Sequence, residues 1–116
     1  MRHELVSESE DFHFRVFDCI DLALSTLGEY QKSLVLHVLE DKYRLSGREI
    51  AAEPTRLEEA LKDLLGVSVA AFVIVHILDN ISSAFGIEVK VETSIEEAIQ
   101  SARTKKEGLA IRVNVR

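Results

Sequence analysis

One cysteine, one proline, five glycines and no tryptophan occur among the 116 residues. A lone cysteine closes no internal disulfide, which excludes a disulfide-stapled secreted miniprotein, and it leaves no zinc-spaced cysteine set. So little proline and glycine excludes collagen-like and low-complexity chains. No glycine-rich phosphate loop, Walker-type lysine motif or nucleophile elbow is present. The longest uninterrupted apolar run, Val69 to Val75, is seven residues and ends at His76. A membrane span needs about 20. Residues 1–12 are acidic and contain no apolar stretch of the signal-peptide kind. The expectation is a cytoplasmic protein with no membrane contact, no cofactor, no metal and no enzymatic activity.

What is present is globular. Hydrophobic residues make up 47% and charged residues 29%, enough apolar surface to form one core at this length. The net charge of −6 disfavours a nucleic-acid coat or a basic membrane binder. That charge is uneven. Residues 1–30 carry seven acids against two bases, whereas residues 67–116 balance six against six.

Periodicity divides the chain. Residues 1–10 have none and read as a flexible N-terminus. A helix is predicted over about 11–27, with Phe12, Val16, Ile20, Ala23, Leu24 and Leu27 on one arc and Gly28 as its stop. A second covers about 29–43. Three capping boxes follow: Ser46 with Glu49, Thr55 with Glu58, and Ser94 with Glu97. The first opens a short helical turn ended by Pro54. The second opens a helix in which Leu57, Ala60, Leu61, Leu64 and Leu65 share a face before Gly66. A fourth, from Ser68 to Phe85, is apolar over more than half its circumference and should be central; Gly86 stops it.

After Gly86 the period changes to two. Ile87, Val89 and Val91 alternate with Glu88, Lys90 and Glu92, and Leu109, Ile111, Val113 and Val115 alternate likewise, on either side of a helix over Ile95, Ala98, Ile99 and Ala102. The predicted fold class is therefore α+β, mainly α. A four-helix core (11–86) is followed by a short strand–helix–strand tail (87–116) of the same domain. Two strands leave open edges, so a second copy of the chain should complete the sheet, making a homodimer.

From Ala23 to Gly86 the chain resembles the Nitrosopumilus output domains, a small archaeal family. The resemblance rests on the Leu27-Gly28 stop, the Leu39-Glu40 to Tyr43 helix end, Leu45-Ser46 with Glu49-Ile50 and Pro54, the Leu57 to Leu65-Gly66 helix, and Phe85-Gly86. It implies an all-helical archaeal domain serving as an output or interaction module in signalling proteins, with no catalytic residues to carry over.

The candidate constellations each have a plainer reading. His76 and Asp79, one turn apart, allow a hydrogen bond or a shared metal; with Ser68, Asn80, Ser82 and Ser83 they also form the one polar stripe of an apolar helix. His37 with Glu40 and Asp41 has acid–base spacing, yet any solvated helix offers such a trio. Asp18 and Asp21 read as a solvated pair, His13 as a core or capping histidine, and Cys19 as a small hydrophobe. Phe72 lies amid the polar stripe, so it is either covered by another segment or faces a partner. Ile111 and Val113 join it as candidate partner-binding residues on the tail. Lys90, Lys105, Lys106, Arg112 and Arg116 form a possible basic patch for nucleic acid or a phosphate ligand, or else solvate and protect an open strand edge. The leading expectation is a non-catalytic interaction or signalling-output module that self-associates.

Overall fold

The computed structural model describes the backbone of residues 2–90 and 92–115, and the side chains of residues 11–90 and 92–105. The elements are α1 (Arg2–Leu24), a 3-10 turn (Ser25–Leu27), α2 (Glu29–Tyr43), α3 (Arg48–Ala52), α4 (Pro54–Phe85) and α5 (Ile95–Val115). α1 starts at Arg2 rather than near Asp11, so most of the segment read as loose is helical.

No strand occurs among the described residues, and the strand–helix–strand tail is wrong. α4 ends at Gly86 in the left-handed conformation (φ 66°, ψ 41°), where the amides of Gly86 and Ile87 both donate to the Ser82 carbonyl. The Ser82 hydroxyl in turn donates to the Ile87 carbonyl (2.5 Å). The Thr93 amide closes a turn on the Lys90 carbonyl, and the Lys90 amide donates to Thr93 Oγ1. The backbone groups of Ile87 and Lys90 that a sheet ladder would use are thus already engaged in helix capping and a turn. Ile87 and Val89 pack partly buried against the helices, which satisfies their alternation without a partner strand. The second expected strand is the end of α5. The Ser94 box opens this helix, which runs through Gly108, Ile111 and Val113 despite their weak helix propensity.

The three capping boxes have three fates. Ser94 and Glu97 form theirs completely, with Ser94 N donating to Glu97 Oε1 (2.9 Å) and Glu97 N to Ser94 Oγ (3.1 Å). Ser46 forms half, its amide on Glu49 Oε1 (3.3 Å). Thr55 forms none: Pro54 already opens α4 at its first turn, and the Thr55 hydroxyl donates across to Glu96.

α4 is interrupted at Gly66 (φ 83°, ψ 161°). This backbone region is essentially closed to other residues. The break turns the helix back on itself. The Ile95 amide donates to Glu58 on the first arm of α4 (54–65), and Lys105 donates its ammonium to the Gly86 carbonyl at the end of the second arm (67–85). Ile95 and Lys105 are about 15 Å apart along α5, whereas Glu58 and Gly86 would be about 42 Å apart on a straight helix. By length and composition α4 does pass as a membrane-crossing helix, with a mean hydropathy of 2.0 over its most apolar window. That was not visible from uninterrupted apolar runs alone.

α1 lies against the second arm, fixed by Asn80 Nδ2 on the Cys19 carbonyl (3.0 Å) and Arg15 on the Ala84 carbonyl (3.1 Å). Val16, Ile20, Leu24, Leu39, Leu57, Leu61, Ile77, Ile81 and Ile95 fill one continuous core. Arg44, in the left-handed conformation (φ 59°), ends α2 and turns buried Leu45 into it.

Candidate interaction face on α4

The second arm of α4 contains more apolar residues than the fold buries. Ala70, Val73, Ile74, Ile77, Leu78 and Ile81 point inward. Val69, Phe72 and Val75, three residues apart, line the opposite face and keep 43%, 51% and 47% of their surface in water. Val67 and Ala71 flank them, also exposed. Phe72 is therefore not covered by another segment of the chain. Its ring packs at a tilt against the His76 imidazole, with centroids 4.5 Å apart, and His76 Nδ1 lies 2.9 Å from the Phe72 carbonyl. A carbonyl only accepts, so this contact places the ring proton on Nδ1. From Val67 to Leu78 no residue carries a formal charge.

The pairing of His76 with Asp79 does not form. The imidazole turns back to Phe72, while Asp79 is exposed and borders a shallow groove with Val75, Leu78, Val89 and Lys90. No cluster of three or more metal-ligating side chains exists among the described residues. His37, Glu40 and Asp41 are all exposed on α2. Asp21 pairs with Lys32 (3.4 Å), which also reaches Glu29, so Asp18 and Asp21 do not act together. His13 sits edge-on to Phe12. Burial pushes the Cys19 thiol above its ordinary pKa, Asp18 adds to the rise, and Arg15 opposes it, which disfavours the thiolate.

Two of the candidate basic residues, Lys90 and Lys105, have described side chains, and each has its own local neighbour. Lys105 caps the C-terminus of α4, and Lys90 lies beside Asp79. Arg103 lays its guanidinium 4.9 Å from the Phe12 ring centroid. Arg15 does the same over Phe85 (4.4 Å), and the two phenyl rings meet at 5.3 Å. These cations bind the end of the bundle together. Arg116 and the side chains of Lys106, Ile111, Arg112 and Val113 lie outside the described residues.

Sequence reasoning had singled out Phe72 by its place on the helical wheel. It missed Val69 and Val75, since a helix with a broad apolar arc does not reveal which part of the arc its neighbours leave bare. No family model, curated protein or solved structure matches the chain.

Proposed function

We propose that the chain is a non-catalytic, cytoplasmic interaction module, in keeping with its resemblance to signalling output domains. Its partner is a second copy of itself, docked on the outer face of the second α4 arm. The observation that carries this is Phe72, half exposed between Val69 and Val75 on a charge-free stretch. A chain of net charge −6 repels its own copy in general. On this face no formal charge intervenes until Asp79, one turn beyond Val75, so two copies meet with little like-charge opposition and remove apolar surface from water, at about 25 cal/mol per Å².

The association is weak by construction. A single helix face of this kind offers a few hundred Å², while a stable interface covers about 800 Å² on each partner. A reversible dimer populated at high protein concentration is the expected form. Light scattering over a dilution series of the wild type and Phe72→Asp tests it. The wild type should gain mass with concentration and the variant should remain monomeric with its helical content unchanged. A wild type that stays monomeric throughout, or a variant that associates equally well, overturns the reading.

A further inference from the structure

The observations at Gly66 carry an inference that is independent of the α4 face. The backbone there occupies a region open to glycine alone (φ 83°, ψ 161°), yet a Cβ built on Gly66 meets nothing within 4 Å. Glycine is thus required by the dihedral angles and not by crowding. Both flanking arms are already helical. A single residue separates the folded-back α4 from one continuous helix of about 48 Å.

The contacts that cross this residue join two sets of elements. Before Gly66 lie α1, α2, α3 and the first arm; after it lie the second arm and α5. Cys19 with Asn80 and Arg15 with Ala84 join α1 to the second arm. Glu58 with Ile95 and Thr55 with Glu96 join the first arm to α5, and Arg103 with Phe12 joins α5 to α1. None of these needs its two partners to belong to the same chain. We propose that Gly66 is a swap hinge. When it straightens, two copies exchange everything that follows it and remake the same contacts between chains. Only the hinge changes conformation, which is the condition under which swapping is cheap. The segment beside it also gains: Val67, 73% exposed when α4 is folded back, would lie next to its copy near the two-fold axis.

Replacing glycine by alanine strains the folded-back form and favours the straight helix. Gly66→Ala should therefore dimerise at a concentration at least about tenfold below that of the wild type. The comparison is made in a Phe72→Asp background, which removes pairing through the α4 face and keeps the two proposals separable. Topology is read with Asp18→Cys and Ser83→Cys, exposed residues lining one groove between α1 and α4, together with Cys19→Ser. A short thiol cross-linker then joins residues 18 and 83 within one chain in the monomer, but between chains in a swapped dimer, which migrates as a dimer on a denaturing gel. The chain with native Gly66, refolded at high concentration, gives the same readout where Gly66→Ala fails to fold. Cross-links between chains that disappear slowly on dilution support the hinge. Cross-links confined to single chains in both samples overturn it.

Discussion

The imidazole of His76 packs at a tilt against the phenyl ring of Phe72, centroids 4.5 Å apart at 50°, with both rings on the outer face of α4. Each ring shields one side of the other, and the remaining surface of Phe72 is open to solvent. The pair is thus an exposed aromatic ridge rather than part of the core, and the effects of changing it follow from that position.

Phe72→Ala should leave the monomer within about 1 kcal/mol of wild-type stability, as expected for a surface site. A buried phenylalanine would cost about 3–5 kcal/mol. Urea melts at low protein concentration check this. The same substitution should weaken self-association, seen as a concentration midpoint displaced upward.

Asn80→Ala removes the side-chain amide that links α4 to the Cys19 carbonyl on α1. That carbonyl lies within a helix that supplies its own backbone donors, so the loss should be about 1 kcal/mol. Thermal melting monitored by circular dichroism measures it. A loss several times larger would mean that the bond fixes how α1 lies on α4, beyond its own energy.

Ser94→Ala breaks the one capping box that forms completely. The expected cost is about 1 kcal/mol, with fraying at the start of α5. Amide exchange at Glu96 and Glu97 should accelerate before any change reaches the α1–α4 contact.

Tyr43 donates its hydroxyl to Asp63. This bond, then partial burial and the Asp63 charge, hold the phenol above its ordinary pKa of 10.0. A raised folded-state value means the contribution to stability is fully present below the unfolded value and is lost as pH rises through the folded one. The link between α2 and α4 should therefore hold at neutral pH and loosen in alkali. Ultraviolet titration of a Tyr30→Phe protein isolates Tyr43, and Asp63→Asn should bring its pKa down.

The helices were legible where local rules act alone. The 3.6 period, Gly28, Gly66 and Gly86 marked them, and Gly66 was read as a stop. How sharply Gly66 turns the chain was not legible, since glycine permits many directions and packing selects one. The period of two after Gly86 misled because Ile87 and Val89 need only one apolar neighbour surface, and a linker lying on helices supplies it as well as a sheet. Thr55 failed as a cap because Pro54 had already opened the helix. Lys105 and Arg103 find their partners, Gly86 and Phe12, far away in sequence, so local charge spacing shows Lys105 only as part of a basic patch and gives Arg103 no role. Phe72 was visible as an oddity because its wheel neighbours Ser68 and His76 are polar.

The central claim is that the Val69–Phe72–Val75 face meets its own copy. Methyl NMR over a dilution series from millimolar to low micromolar protein tests it residue by residue. The methyl signals of Val69 and Val75 should move with concentration while those of buried Val73 and Ile77 stay fixed. Signals that do not move at all, or that move only around exposed Leu34 on α2, would contradict it.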